Sequence, residues 1–157
     1  MNSVHPDFAG VDGAALSDAE LFEFLHAHPP DPMKILNGEM LEVDSERGIC
    51  RCRFEIVPAF CHSQGSICQG GFLTGMVDAA MAYAAVARGR LAIAVPTLEL
   101  KISFFEAVGP GIVIAEGRVL RWGGSVGFLD GDLKDQAGRL IVHATSTIRI
   151  VRPRKTA

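Results

Sequence analysis

From Phe72 to Val86 the chain reads as a helix that is apolar on every side, and the only charge in that stretch is Asp78. Phe72, Leu73, Met76, Val77, Ala80, Met81, Tyr83, Ala84 and Val86 cover its whole circumference, which marks a helix enclosed by other elements rather than laid along one face. A fold containing such a helix must supply a layer that curls round it. No Lys or Arg occurs between Phe72 and Ala87, so desolvation of the Asp78 charge has to be offset by something distant in sequence. A carboxylate in that position is a candidate functional acid. The competing reading is a carboxylate that caps another element or pairs with an arginine from elsewhere.

The flanking segments supply the enclosing layer. Cys50, Cys52, Phe54 and Ile56 alternate with Arg51, Arg53 and Glu55, the two-residue repeat of a half-buried strand, and Met40 to Val43 is its expected hairpin partner. Thr97 to Phe104 alternates in the same way, with Leu98, Leu100, Ile102 and Phe104 on one side. Ile112 to Trp122, Val126 to Leu133 and Leu140 to Ile150 read as three further strands separated by Gly-rich turns, which implies an antiparallel sheet. Upstream, Ser17-Asp18-Ala19-Glu20 is a capping box that opens a helix ended by Pro29-Pro30, and a short helical turn is expected around Pro32 to Leu36. The expected class is α+β, an antiparallel sheet of five to six strands wrapped around one long helix. Its open flank would be closed most easily by a second copy. The boundaries read as a loose arm and helix over 1–33, one domain over 34–151 and a basic tail over 152–157.

With 48 % hydrophobic and 21 % charged residues, the chain has enough apolar content for one core and does not read as disordered. A net charge of −3 and the absence of a basic stripe interleaved with aromatics argue against nucleic acid as a partner. Positive charge is local: Arg149, Arg152, Arg154 and Lys155 crowd the last nine residues, either as a solvated tail or as a place for phosphates. No basic start followed by an apolar run of signal length is seen, and no apolar stretch reads as long enough to span a bilayer, so a cytoplasmic protein without a membrane partner is expected. Cys50, Cys52, Cys61 and Cys68 lack C-x-x-C spacing and read as free thiols rather than zinc ligands.

The segment Gln69-Gly70-Gly71-Phe72-Leu73-Thr74-Gly75-Met76-Val77-Asp78 resembles the (His/Gln)-Gly-Gly…Asp signature of hotdog-fold acyl-CoA thioesterases of the PaaI-like, phenylacetate-pathway type. Pro96 to Phe104 resembles that family's next strand, and the likeness continues through Asp135 to Leu140 and the last strand, covering roughly residues 37 to 151. The resemblance implies a hotdog fold, hydrolysis of an acyl- or aryl-CoA thioester and a homodimer or homotetramer, with no cofactor beyond the coenzyme A of the substrate. It also implies that the glycines of one subunit meet the acid of its neighbour. The bare residues are compatible with this. Backbone N–H groups at a helix start lack internal partners, so Gly70 and Gly71 can receive a thioester oxygen, although a Gly-Gly pair is also an ordinary turn. Asp78 lies roughly 12 Å further along the axis, too far for its own glycines. In that role it attacks the carbonyl or takes a proton from water.

Thr97 matches the family's hydroxyl beside the acid, and is equally a β-branched residue opening a strand. Ser63 stands where many relatives carry Asn, and Gln69 where many carry His; both are substrate-binding candidates that depart from the pattern. Gln69 does not titrate near neutral pH, which argues against a dehydratase needing an imidazole base, and His62 and His143 read as ordinary surface or strand residues. Arg121, Arg149, Arg152 and Arg154 are the candidates for the phosphates of coenzyme A, since guanidinium forks suit phosphate oxygens, and Ser125, a further substrate-binding candidate, stands where relatives often carry a basic residue. The competing function is a non-catalytic module that binds or senses acyl-CoA.

Overall fold

The computed structural model describes residues 11–91 and 93–152. The first ten residues of the arm, and Arg154 and Lys155 of the basic tail, lie outside the described residues. Helix α1 (Asp18–Ala27) and the short α2 (Asp31–Ile35) precede the hairpin β1 (Gly38–Asp44) and β2 (Ile49–Ile56). A two-stranded ribbon, β3 (Cys61–His62) with β4 (Ile67–Cys68), leads into the long helix α3 (Gly70–Arg88). Then come β5 (Thr97–Phe104), β6 (Gly111–Trp122), β7 (Val126–Asp135) and β8 (Leu140–Arg149). Six strands form one antiparallel sheet in the order β1-β2-β6-β7-β8-β5, curled about α3 in the hotdog arrangement.

The alternation read in β2 holds, with Cys50, Cys52, Phe54 and Ile56 buried against the helix. The tight connection expected between β5 and β6 does not form a hairpin. Instead β6 returns to β2 in the middle of the sheet, while β5 sits at the far edge beside β8. That edge position explains why the apolar face of β5 is incompletely covered, with Leu98 59 %, Phe104 51 % and the following Phe105 57 % exposed.

The contact that seats α3 is made through glycine. Gly117 of β6 and Gly131 of β7 face each other across the strands. A Cβ added to Gly117 would lie 2.4 Å from the Ala80 carbonyl carbon and the Met81 nitrogen, inside the helix backbone itself. At Gly131 it would lie 2.8 Å from Val77 Cγ2 and 2.9 Å from Met81 Cγ. The pair forms a dent in the sheet that lets the helix approach more closely than any side chain would permit. Leu73, Met76, Val77, Ala80, Met81, Ala84, Ala85 and Ala87 are buried in consequence.

Burial is nevertheless not uniform round α3. Gly75, Asp78, Ala79, Ala82 and Val86 recur at three- and four-residue spacing and are only half-buried, so one flank stays open where enclosure on all sides is expected from the sequence. By length and composition, the 19 residues of α3 would also suffice to cross a bilayer, which corrects the reading that no stretch is long enough. Here that apolar surface serves a different purpose, since half of the helix is buried inside the molecule against the sheet.

The arm is fastened to this frame by charge. The α1 capping box forms, with Ser17 Oγ accepting from the Glu20 N–H at 3.3 Å and Glu20 Oε2 accepting from the Ser17 N–H at 2.8 Å. Asp18 accepts from the Ser45 N–H at 2.9 Å and pairs with Arg90 at 3.2 Å, tying α1 both to the β1–β2 turn and to the end of α3. Because the seat of α3 is backbone against backbone, Gly117→Ala is expected to cost about 1–3 kcal/mol. Gly131→Ala, whose two closest contacts are side-chain carbons with the Glu116 carbonyl oxygen further off at 3.2 Å, should cost less. Urea denaturation of both variants checks the order, and a neutral Gly117→Ala would contradict the proposed seat.

Candidate active site

Asp78 projects from the open flank of α3 into a cavity of about 420 Å³. The helix contributes Gly75, Ala79, Ala82, Tyr83 and Val86. The segment ahead of β5 contributes Ile93, Ala94 and Val95, and the far wall is His28, Pro30, Pro32, Met33 and Leu36 from the end of α1 through α2. Among the described residues, Asp78 is the only acidic one in this lining. Its carboxylate has no ion pair among the described residues. Its one hydrogen bond is accepted by Oδ1 from Thr97 Oγ1 at 3.2 Å. Burial pushes the Asp78 carboxyl above the usual carboxylate range, and the Thr97 hydroxyl pulls it back only in part. The sequence expectation of an acid without a local counter-ion therefore corresponds to an acid held in an apolar cavity by one hydroxyl.

The glycines lie elsewhere. Gly70 opens α3 and borders a separate cleft of about 320 Å³ with Leu73, Phe104, Phe105 and Val108. Gln69 is the N-cap of α3, and its Oε1 accepts from the Gly71 N–H at 2.6 Å. The Gly71 donor is thus occupied by a side chain that can swing away, whereas the Gly70 N–H has no partner among the described residues. Ser63 sits at the tip of the β3–β4 ribbon with its hydroxyl 2.9 Å from His62 Nδ1, exposed and apart from the cavity.

Arg121, Ser125 and Arg149 gather at one corner of the sheet. Val126 is the cross-strand partner of Arg149, and the Ser125 carbonyl accepts from the Ile150 N–H at 2.8 Å. The Arg149 N–H donates to the Pro96 carbonyl at 2.9 Å, which places this corner next to Thr97. Arg121 and Arg149 are exposed and have no carboxylate partner among the described residues. Arg152 adds a third guanidinium, hydrogen-bonded to the Gly124 carbonyl.

Two features of the site escape sequence reading. His28, not His62, is the imidazole in the cavity of Asp78; its Nδ1 lies 2.8 Å from the Phe24 carbonyl. The wall from His28 to Leu36 likewise carries no local signal that it faces α3, because only the docking of α1 and α2 brings it there. His143 is on the outer face of the sheet, 2.8 Å from Asp132. Cys50 and Cys52 are buried with their sulfurs 3.8 Å apart, Cys61 and Cys68 are cross-strand partners, and all four are free thiols. Among the described residues no three His, Cys, Asp or Glu side chains cluster as metal ligands would.

Residues 65–142 match the family model described as thioesterase superfamily, a segment that contains α3, Asp78 and Thr97. This segment is of the thioesterase superfamily. Among solved structures it is similar to a phenylacetic acid degradation-related protein of Ralstonia eutropha JMP134, at 27 % identity and a TM-score of 0.75, covering 82 % of this chain and 98 % of that one. It also superposes on the E. coli PaaI protein from the phenylacetic acid degradation operon, at 19 % identity and a TM-score of 0.74 over 85 % of this chain and 96 % of that one. A mutant form of PaaI from Thermus thermophilus shares the fold at 21 % identity and a TM-score of 0.68, over 76 % and 98 % of the two chains. No curated protein matches the sequence. The superfamily match begins after the His28–Leu36 wall of the cavity.

An acid whose pKa is raised by folding weakens the fold at neutral pH. Below the unfolded value, near 3.8, Asp78 is neutral in both states; as pH rises through the higher folded value, the unfolded chain gains more from ionisation and stability is lost. Asp78→Asn keeps an oxygen acceptor for Thr97 and removes the charge. It should raise the melting temperature at pH 7, by about 2–4 °C for each kcal/mol regained in a chain of this size, and the gain should vanish in acid below the unfolded value. Calorimetry across pH checks this; a variant less stable than wild type at pH 7 would show that the charge is compensated.

Proposed function

We propose that this chain hydrolyses an acyl-CoA thioester to the free acid and coenzyme A, with Asp78 as the reacting carboxylate. The observation that carries the reading is Asp78 itself: a carboxylate with no ion pair among the described residues, in a largely apolar cavity, held by a single hydroxyl donor and located in the part of the chain that matches the superfamily. In one route an Asp78 oxygen attacks the thioester carbon, the C–S bond breaks, coenzyme A leaves as its thiolate and water then cleaves the mixed anhydride. In the other, Asp78 takes a proton from the water that attacks. Both need the ionised carboxylate in the same place, and Thr97 keeps it oriented and favours the charged form.

The carbonyl oxygen needs donors that Asp78's own cavity does not supply. The unpartnered Gly70 N–H, at the positive end of α3, is such a donor, and removal of one donor of this kind typically costs on the order of 10²–10³ in rate. Gly70 and Asp78 border different cavities of one chain, so the reading requires a second copy that brings its helix start to the mouth of the Asp78 cavity. Edge strand β5 supports this, because its unpaired backbone edge and the exposed Leu98, Phe104 and Phe105 form the surface that a partner would cover. Arg149, on the strand beside Thr97, and Arg121, two strands further across the sheet, have no carboxylate partner among the described residues and are suited to the phosphates of coenzyme A, with Ser125 beside Arg149.

The alternative of a binding module without turnover shares everything except the chemistry at Asp78. Asp78→Asn is expected to lower thiol release from a panel of acyl-CoA thioesters by at least about a thousandfold, while the affinity for a non-hydrolysable acyl-CoA thioether changes by less than about tenfold. Thiol release that is equal in wild type and variant would remove Asp78 from the chemistry, and a wild type that binds but never turns over would favour the binding module.

A further inference from the structure

We infer that Gly75 is a specificity-determining residue, whose missing side chain keeps the cavity beside Asp78 wide enough for a bulky apolar acyl group. Among the described residues, nothing in the packing calls for a glycine there. Gly75 lies inside α3 without a positive φ, and a Cβ placed on it would meet Leu36 Cδ1 at 3.4 Å and Cδ2 at 3.8 Å, ordinary contact distances. Gly117 and Gly131 differ in kind, because there a Cβ would enter the helix backbone or come within 3 Å of its side chains. A glycine in a helix interior costs roughly 1 kcal/mol relative to alanine. At Gly75 that cost is left without a structural return.

The return is space in one place. Gly75 precedes Asp78 by three residues and so lies on the same flank of the helix, in the lining of the same cavity. Leu36 stands opposite, on the wall built by α1 and α2. An alanine would set its methyl group against Leu36 and take that space from the cavity next to the acid. The cavity of about 420 Å³ exceeds by more than tenfold the ~30 Å³ that a water molecule takes up in the liquid. That is far more room than an acetyl group fills. Apart from Asp78, His28 and Tyr83 its lining carries no polar side chain among the described residues, which suits an aliphatic or aryl acyl group and disfavours a charged one.

This inference rests on the reading of Asp78 as the reacting acid, and the test separates the two. Turnover of acetyl-, hexanoyl- and phenylacetyl-CoA is measured for wild type, Gly75→Ala, Leu36→Ala and the double variant, alongside melting temperature and sedimentation. Wild type should favour the two larger substrates over acetyl-CoA by about tenfold or more in kcat/KM. Gly75→Ala should reduce that preference by at least about tenfold while melting no lower than wild type, and Leu36→Ala should restore it in the double variant by returning the space. Hexanoyl- against phenylacetyl-CoA shows whether the group is aliphatic or aromatic. In parallel, binding of S-ethyl- and S-hexyl-CoA thioethers reads the cavity without turnover: the hexyl advantage should be present in wild type and lost in Gly75→Ala. An enzyme inactive on every thioester that still shows this binding pattern would sink the catalytic reading and leave the cavity assignment standing. A Gly75→Ala variant that loses all substrates equally, melts lower, or changes its oligomeric state would assign Gly75 to structure and overturn the inference.

Discussion

The structure depends on the close approach of α3 to the sheet at Gly117 and Gly131. Two facing glycines in adjacent central strands remove the side-chain layer that normally separates a helix from a sheet, and the helix backbone sinks into the gap. The sheet can then curl far enough to bury Leu73, Met76, Val77, Ala80 and Met81 on one side of the helix. It cannot close over the opposite side. The flank of Gly75, Asp78, Ala79 and Ala82 is left facing outward, and α1 and α2 come down over it without filling the space. The cavity is thus a consequence of how deeply the helix is seated, and the acid is in the cavity because it occupies the flank that the sheet does not reach.

That placement sets two demands against each other. An apolar surrounding gives any electrostatic interaction with a substrate more strength than it would have in water, and it raises the cost of holding the charge in the free protein. Thr97 moderates this cost without neutralising the group, since a hydroxyl orients a carboxylate and remains uncharged. An arginine in its place would stabilise the fold and leave an acid committed to a salt bridge. Asp18 shows the contrast within the same chain. Burial pushes its carboxyl up, but two hydrogen bonds from Ser45 and the Arg90 guanidinium outweigh that and hold it below its ordinary range, as befits an acid whose task is to fasten α1.

Much of this was legible in the sequence. Asp78 stood out because a lone charge breaks an otherwise apolar helix, and the strands of the sheet followed from alternation as strict as that of Cys50 to Ile56. The Ser17 capping box was readable because its partners are three residues apart. What could not be read depends on contacts between distant segments. Alternation places Leu98 and Phe104 on one face of β5, yet it cannot tell that β5 is an edge strand whose apolar face lacks cover. The reach of Gln69 to the Gly71 N–H is a matter of rotamer, and the descent of His28 to Leu36 over α3 depends on the Asp18 anchor to Ser45 and Arg90, which are remote in sequence. Gly75 looked like any other glycine until the space around it was known.

The central claim is that the acid of one copy works with the helix start of another, and subunit mixing addresses it most directly. Asp78→Asn removes the acid, and Gly70→Pro removes the Gly70 N–H at a first-turn position where proline is tolerated. Each pure variant should be nearly inactive. Denatured together in equal amounts and refolded, the two should form hybrids in which one site carries both lesions and the other none, restoring about a quarter of wild-type thiol release on statistical pairing of twofold dimers. Mixtures no more active than the separate variants, despite demonstrated hybrid formation, would contradict a site shared between subunits.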